Sequence, residues 1–223
     1  LCAAPGEDQW ARRGDGWLVP RVVQGASPTE GSWRTDGTAL ITGGLGSLGL
    51  RTARWLVDRG ATGLALVGRR PPGTEAREAV EALREQGVEV LVRQADVSDP
   101  EAMKALFAEV DELLPPLKVV IHAAGLSVHG AFTNSDRREI ERALVSKVEG
   151  TRVLEGLLRH RPLDAFVAFS SISSAWGSLD LTTYGAANAF LDAWAPACRA
   201  DGLPAFSVAW GPWAGGGMYE QIQ

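Results

Sequence analysis

Short apolar runs alternate with amphipathic stretches along the chain from residue 38 onward. Unbroken apolar runs are typical of strands that are buried on both faces, whereas apolar residues three and four apart are typical of helices packed along one side. The pattern predicts strands at 39–42, 64–67, 88–92, 118–122, 165–170 and 205–210. It predicts helices at 46–59, 74–86, from residue 100 onward, at 136–160 and at 182–200.

Strands and helices that alternate in this way predict an α/β fold with a doubly wound, Rossmann-like parallel sheet covered by helices on both faces. Such a sheet binds ligands in the crevice beyond the carboxyl ends of its strands. In the helix at 136–160 the spacing places four residues inward, namely Ile140, Leu144, Val148 and Leu154. In the helix at 46–59 it places four residues on one inward face, namely Leu48, Thr52, Trp55 and Leu56. Thr74 is a candidate N-cap for the helix at 74–86.

Residues 1–36 differ from the rest of the chain. They hold Trp10, Trp17 and Trp33, an extended run at 17–23, and a linker rich in Gly, Ser, Pro and Thr. This segment alone is too short to bury a core. We therefore predict two parts, a remnant of a preceding structural subdomain with its linker at 1–36 and a catalytic domain at 37–223.

Composition excludes several classes of protein. The 223 residues include 26 Gly, 8 Trp and 2 Cys, and the net charge is −5, so a collagen, a disulfide scaffold and a strongly basic nucleic-acid binder are not expected. Cys2 and Cys198 form at most one bridge, and the three histidines have no zinc spacing, so we predict no metal. No apolar run is long enough to cross a membrane, and the first residues do not resemble a signal peptide. We expect a cytoplasmic piece of a longer chain, with no nucleic-acid or membrane partner.

A glycine-rich turn joins the first predicted strand of the sheet to its first helix. It contains G-x-G-x-x-G at Gly44, Gly46 and Gly49. Glycines let the backbone approach a pyrophosphate, and the helix N-terminus then offers its free N–H groups. The alternative is a tight turn without a ligand, but the strand before and the helix after favour a dinucleotide site. The predicted contacts in the turn are Thr42, Gly43, Gly44, Gly46, Ser47, Leu48 and Gly49.

The end of the next strand indicates which dinucleotide binds. An NAD site usually has an acid there, whereas this chain has Arg69 and Arg70. Guanidinium groups suit a 2′-phosphate, so we predict NADPH; the alternative is a solvated basic turn.

Two further strand ends complete the predicted cofactor site. Asp96, with Val97, could accept a hydrogen bond from the adenine amino group, or could be a turn or capping residue. The small residues Ala123, Ala124 and Gly125 would let the cofactor ribose lie against the backbone, and the preceding His122 could simply be a packed histidine.

Four polar residues fall where the fold predicts the nicotinamide end of the cofactor. Ser171 follows a strand, Tyr184 and Asn188 lie four apart on one helix, and Lys147 lies on another as a half-buried residue at the rim of the site. Reduction of a carbonyl needs a polarised oxygen and a proton donor. A tyrosine hydroxyl with a free pKa near about 10 can donate the proton when an ammonium is near, a serine adds a hydrogen bond, and an asparagine can hold a water. Each residue alone has an ordinary structural alternative.

The chain resembles the short-chain dehydrogenase/reductase superfamily, and within it the ketoreductase domains of modular polyketide synthases. The resemblance covers about residues 38–217, and its most specific motif is Tyr184-x-x-x-Asn188 with an upstream Lys147, the reverse of the usual Lys and Asn order. It implies that Tyr184 donates the proton, Ser171 polarises the ketone, Lys147 tunes the tyrosine and Asn188 completes the tetrad.

The resemblance also implies a substrate and partners. The substrate would be a β-ketoacyl chain on the phosphopantetheine arm of an acyl carrier protein, and neighbouring synthase domains would surround the chain. The Leu-Asp-Asp motif of B-type domains is absent at 126–129, while Trp176 lies eight residues before Tyr184 and Leu181 lies three before it. These residues imply an A1-like domain with an L-configured product. We expect the lid and last strand of the family to be missing after Gly217.

Two other functions remain open from the sequence. One is a catalytically silent domain that binds NADPH or acts as a scaffold in a synthase, and the other is a free-standing short-chain reductase of small ketones. The intact set of four polar residues argues against the first, and the exchanged Lys and Asn argue against the second.

Overall fold

The apolar runs form one parallel sheet in the computed structural model, which describes residues 7, 9–25, 33–126, 130, 133 and 135–214. Six strands are hydrogen-bonded in the order β5-β4-β3-β6-β7-β8 within these residues. The elements along the chain are β1 (Ala11–Arg13), β2 (Gly16–Leu18), β3 (Thr38–Thr42), α1 (Ser47–Asp58), β4 (Gly63–Gly68), α2 (Thr74–Glu85), β5 (Glu89–Gln94), α3 (Pro100–Leu113), β6 (Leu117–His122), α4 (Arg137–Leu158), β7 (Ala165–Ser171), α5 (Ser173–Trp176), α6 (Thr182–Ala200) and β8 (Ala205–Trp210).

The strand order places a crevice at the centre of the sheet. β3 pairs in parallel with β4 on one side and with β6 on the other, so the chain reverses its direction of winding at β3. The helices that follow β3 and β6 then lie on opposite faces, which leaves a gap above the carboxyl ends of the two strands. The predicted doubly wound parallel sheet is confirmed.

Two apolar clusters lie on the two faces of the sheet. Leu40, Ala65 and Val120 pack on one face with α3, α4 and α6, whereas Ile41 and Leu66 pack on the other with α1 and α2. Neighbouring residues of a strand point to opposite faces, so both must be apolar when both faces are covered. This burial explains why the strands appear in the sequence as unbroken apolar runs.

Side-chain caps fix the start of α3 and α4, which pack on the same face of the sheet. Asp99 accepts hydrogen bonds from the backbone N–H groups of Glu101 and Ala102 at the start of α3, and Asp136 forms a capping box with Glu139 at the start of α4. The prediction that Thr74 caps α2 is wrong, because Gly73 holds the N-cap position and Thr74 is the first helical residue. The Thr74 hydroxyl instead accepts a hydrogen bond from Arg77.

The chain divides into compact units at 1–33 and 34–223. In the described part of the first unit, β1 and β2 form an antiparallel hairpin, and the Trp10 and Trp17 rings meet edge to face with centroids 6.4 Å apart. The predicted extended run at 17–23 is paired only as far as Leu18. Pro20 follows closely and has no N–H for a ladder, which explains the early end of pairing.

Some predictions concern residues outside those described. Cys2, residues 127–129, and the segment from Gly215 to Gln223, where the lid would begin, belong to this group. Cys198 is a free, buried thiol. Among the described residues, no helix combines the length and apolar character needed to cross a membrane. No group of three or more potential metal-binding His, Cys, Asp or Glu side chains occurs in that same part of the chain.

Candidate active site

A cleft of about 1090 Å³ lies along the carboxyl ends of β3, β4, β5 and β6. Every sequence-predicted cofactor residue except Gly44 lines it. Gly44 instead packs against the sheet, where its N–H donates to the Val67 carbonyl oxygen at 3.1 Å. The predicted residues that line the cleft are Thr42, Gly43, Gly46, Ser47, Leu48, Gly49, Arg69, Arg70, Asp96, Val97, Ala123, Ala124 and Gly125.

The glycine turn fits a pyrophosphate. Gly43 has a φ of 69°, and a Cβ there would come within 2.9 Å of the Ala123 and Ala124 backbone. Gly49 lies so close to the carbonyl of Gly43 that a side chain at position 49 would overlap it. Gly46 occupies the N-cap position of α1, so no side chain caps the N–H groups at the start of the helix. The first helical turn also contains no acidic residue. The turn therefore leaves the helix N-terminus open to an anion.

Buried His122 ties the two central strand ends to α4. The Thr42 hydroxyl donates to His122 Nδ1 at 2.6 Å, and His122 Nε2 donates to the Ser146 carbonyl oxygen at 3.1 Å. The carbonyl can only accept, so we assign the proton to Nε2. Burial, and then the positive charge of Lys147, lower the pKa of His122 to about 3. His122 is thus a neutral, packed residue, which agrees with the interpretation of His122 as a packed histidine in the sequence analysis.

Asp96 lies in a turn and also lines the cleft, so it fits both of the interpretations that the sequence allowed. Its carboxylate accepts hydrogen bonds from the backbone N–H of Ser98 at 2.9 Å and from the Ser98 hydroxyl at 2.7 Å. Burial opposes its ionisation, but these hydrogen bonds and the charge of Arg69 together lower its pKa. Asp96 is therefore a turn residue that keeps a negative charge, and it lines the cleft as well.

A recess of about 420 Å³ beside the cleft is lined by three arginines, Arg69, Arg70 and Arg142, together with Leu126 and Val145. Among the described residues, no acidic side chain lines it. Arg69 and Arg70 come from the end of β4, whereas Arg142 comes from α4. Sequence reasoning missed Arg142, because an exposed arginine on a helix gives no local signal that it faces a strand end across a cleft.

Lys147 is buried rather than at the rim, with only 3% of its surface exposed. Its ammonium donates to the Phe169 carbonyl oxygen at 2.7 Å and lies 5.9 Å from the centroid of the Tyr184 ring. Burial lowers the pKa of Lys147 to about 8, and the negative charge of Asp192 opposes that shift. The residue is held close to the tyrosine by the end of β7.

Tyr184 and Asn188 lie on successive turns of α6. The Asn188 side-chain amide donates to the Tyr184 carbonyl oxygen at 2.8 Å, which fixes the orientation of the amide. The buried Asn188 Oδ1 atom has no hydrogen-bond partner among the described residues. A buried oxygen of this kind is suited to hold a water molecule beside the tyrosine.

Ser171 and Trp176 come from the segment between β7 and α6. The Ser171 Oγ atom accepts a hydrogen bond from the Ser173 backbone N–H at 3.2 Å, so the Ser171 proton is left to donate elsewhere. Trp176 ends α5 with 60% of its surface exposed, and Leu181 occupies the N-cap position of α6. The segment thus presents one hydroxyl and one large aromatic ring near the start of α6.

The model of the KR domain family matches residues 37–215, which include the glycine turn and all four predicted catalytic residues. The chain belongs to the KR domain family. The predicted resemblance to the ketoreductase domains of polyketide synthases is confirmed, and the KR domain is an oxidoreductase by family.

Curated relatives of the KR domain are polyketide synthases. Polyketide synthase GfsA of Streptomyces halstedii is 44% identical over 220 residues, which cover 97% of this chain and 3% of the relative. The pikromycin polyketide synthase component PikAIII of Streptomyces venezuelae is 43% identical, with coverage of 98% of this chain and 14% of the relative. The KR domain therefore spans only a small part of the length of these proteins.

Solved structures support the same grouping. A structure described as an A-type ketoreductase from a modular polyketide synthase has a TM-score of 0.88 and 39% identity, and it covers 96% of this chain and 46% of that chain. An A1-type ketoreductase gives the same values. An NAD⁺-bound xylitol dehydrogenase, at 20% identity and a TM-score of 0.70 over 85% of this chain and 75% of that chain, shares the fold.

Proposed function

We propose that this KR domain reduces a β-ketoacyl thioester, carried on the phosphopantetheine arm of an acyl carrier protein, to the β-hydroxyacyl thioester. The observation that carries the proposal is that Lys147 and Asn188 both lie beside Tyr184, next to a cleft that fits a dinucleotide. Ser171 lies at the end of β7, the strand whose Phe169 carbonyl holds the Lys147 ammonium. A nicotinamide cofactor held in the cleft would supply the hydride for the ketone carbon. The carbon–oxygen double bond then becomes a single bond, and the oxygen takes one proton.

Side chains of this domain polarise the ketone oxygen and supply the proton that it takes up. Ser171 donates a hydrogen bond to the ketone oxygen, since its own oxygen is already occupied by the Ser173 N–H. Tyr184 donates the proton, and the nearby Lys147 ammonium stabilises the phenolate that remains. Asn188 holds a water on its unpartnered oxygen, and that water returns a proton to Tyr184.

NADPH is the cofactor that this site supports best. Arg69 and Arg70 would hold the 2′-phosphate from the end of β4, and Arg142 lines the same recess from α4. None of the three guanidinium groups has a hydrogen bond or ion pair to a side chain among residues 33–126 and 135–214. Three guanidinium groups without a bound acidic side chain favour a phosphate over the neutral hydroxyl of NAD.

Trp176 and Leu181 support an A1-like product. Trp176 is exposed at the end of α5, where it can exclude one of the two orientations of an entering acyl chain. Solved relatives described as A-type and A1-type ketoreductases share 39% identity with the chain, and this likeness supports the same assignment. The β-hydroxyl is then L-configured. A carrier protein and neighbouring synthase domains are the proposed partners, which agrees with relatives that are polyketide synthases much longer than this chain.

Tyr184→Phe tests the proposal in the intact synthase module. Removal of the hydroxyl leaves no proton donor, so the rate of NADPH consumption with a β-ketoacyl thioester falls by about 100-fold or more. The affinity for NADPH, followed by its fluorescence, stays unchanged because Tyr184 does not line the cleft. Full activity of the variant would contradict the role of the tyrosine. A D-configured product of the native module, found by chiral chromatography, would contradict the A1-like assignment.

A further inference from the structure

Asp192 lies on α6 beyond the two candidate catalytic residues of that helix. It follows Asn188 by four residues and Tyr184 by eight, so all three side chains share one face of the helix. Its carboxylate is within 2.5 Å of two serine hydroxyls, Ser174 Oγ of α5 and Ser207 Oγ of β8. One carboxylate thus joins the helix that carries the tyrosine to two neighbouring elements.

The hydrogen bond to Ser174 reaches the segment that carries Ser171 and Trp176. The Ser174 hydroxyl also lies 2.7 Å from the carbonyl oxygen of Ser171, at the very end of β7. Ser207, on the other side, belongs to β8, which pairs in parallel with β7. Loss of the carboxylate would therefore loosen the position of Ser171 relative to Tyr184, although Asp192 itself does not line the cofactor cleft.

Asp192 also provides a negative charge that acts on the buried Lys147 ammonium. The Lys147 ammonium is buried, and the partner it binds directly is the neutral carbonyl of Phe169. The other titratable groups packed near it are His122 of β6, which is neutral, and the Tyr184 hydroxyl of α6. Asp192 supplies the negative charge that raises the pKa of Lys147 against the effect of burial.

We infer that Asp192 is a positioning residue for the reduction. Its carboxylate aligns α5 and β8 with α6 and keeps the Lys147 ammonium charged. This inference rests on the proposed ketoreduction, since only a proton transfer from Tyr184 needs a charged lysine beside it. Asp192 does not touch the reacting atoms. Its effect on the reaction passes through Ser171 on one side and Lys147 on the other.

Asp192→Asn in the intact synthase module separates this role from a purely structural one. The asparagine keeps the size and one accepting oxygen of the side chain but loses the charge. The rate constant kcat/KM for reduction of a β-ketoacyl thioester is measured from pH 6 to 9. In the native module its decline at high pH follows the Lys147 pKa of about 8. In the variant we expect the midpoint of that decline to fall by about one pH unit.

Three controls identify the cause. Asp192→Glu restores the charge and returns the midpoint toward the native value. Ser207→Ala removes one hydrogen bond and keeps the charge, so kcat falls severalfold while the midpoint stays in place. NADPH affinity stays within about twofold of the native value in Asp192→Asn, because Asp192 does not line the cleft.

The outcomes distinguish the inference from the function on which it rests. A native module that does not consume NADPH would contradict the proposed function. A native module that is active, with an Asp192→Asn variant whose midpoint does not move, would overturn the inference. If Asp192→Asn does not fold, as judged by circular dichroism, Ser174→Ala serves in its place. An unchanged kcat in Ser174→Ala would overturn the alignment of α5.

Discussion

At the scale of single residues, burial determines the chemistry of the site. Lys147 and His122 lie on neighbouring elements, and both have a pKa lowered by burial, to about 8 and about 3. The lysine keeps a charge at neutral pH and the histidine does not. One is therefore available to stabilise a phenolate, while the other acts as a hydrogen-bonding link between Thr42 and Ser146.

Lys147→Met tests the cost of the buried charge. Near pH 7 the lysine is charged in both the folded and unfolded states, and its lowered pKa means that folding loses roughly 3 kcal/mol to desolvation. The variant should abolish reduction and raise the free energy of unfolding at pH 7 by about 1–3 kcal/mol, measured with urea. The gain fades between pH 8 and 10.5, where the unfolded state holds a proton that the folded state has lost.

The matched control for this prediction is Lys104→Met, because Lys104 is exposed on α3. Its free energy of unfolding should stay within about 0.5 kcal/mol of the native value. Destabilisation by Lys147→Met at pH 7 would contradict the view that the ammonium is held at a cost to stability.

His122→Asn tests the neutral histidine. The pKa of His122 is about 3 in the folded protein against 6.5 when unfolded, so the unfolded state binds the additional proton as the pH falls through that interval. Protonation of this histidine in the unfolded state should therefore lower the free energy of unfolding by about 2 kcal/mol between pH 7 and pH 5. The variant should lose less stability than the native protein between pH 7 and pH 5, and His160→Asn, at an exposed position, should behave as native. Equal losses in all three proteins would contradict a buried, neutral His122.

At the scale of helices and strands, prediction from sequence succeeded where local signals are strong. The bounds of α6 and β8 were predicted at 182–200 and 205–210 and are confirmed, because each element is a continuous pattern with turn residues at its ends. α5 was missed, since a four-residue helix carries no periodicity. Trp55 was predicted inward, yet 45% of its surface is exposed and the Arg59 guanidinium lies over its ring.

The inward-facing side of α4 was predicted incorrectly over the first part of the helix. Ile140, Leu144 and Val148 were predicted inward and are only half-buried, whereas Leu154 was predicted inward and is fully buried. The buried residues of the helix include Ala143, Ser146, Lys147, Gly150 and Thr151. Small and polar residues face inward between residues 143 and 151, where the helix approaches the cleft and presents Lys147, and leucines face inward beyond them at Leu154 and Leu158. Hydrophobic spacing cannot predict a face that is shaped by a functional site.

Arg142→Ala tests the contribution of α4 to cofactor choice. Arg142 lines the recess with Arg69 and Arg70, so its loss should raise the KM for NADPH by roughly fivefold and leave the KM for NADH nearly unchanged. Arg137→Ala is the matched control, because Arg137 lies on the same helix and pairs with Glu141 in solvent. An equal change for both nucleotides in Arg142→Ala would contradict a contact with the 2′-phosphate.

At the scale of the whole molecule, the strand order explains how much of the site was predictable. The glycine turn, Arg69 and Asp96 each follow a strand directly, and parallel strands bring their carboxyl ends to one edge of the sheet. Their meeting could therefore be predicted from the sequence. Arg142 and Asp192 lie within helices, and their positions depend on how those helices pack, which no local pattern specifies.

Transfer of the cofactor hydride to the β-carbon is the central claim. It is tested most directly with NADPH deuterated at C4 of the nicotinamide, incubated with the intact synthase module and a β-ketoacyl thioester on its carrier protein. With both C4 hydrogens replaced by deuterium, mass spectrometry of the released chain should show one deuterium at the β-carbon in the native module and almost none in Tyr184→Phe, and chiral chromatography should show an L-configured hydroxyl in the native product. A native module that binds NADPH but gives a β-keto chain without deuterium would contradict the account.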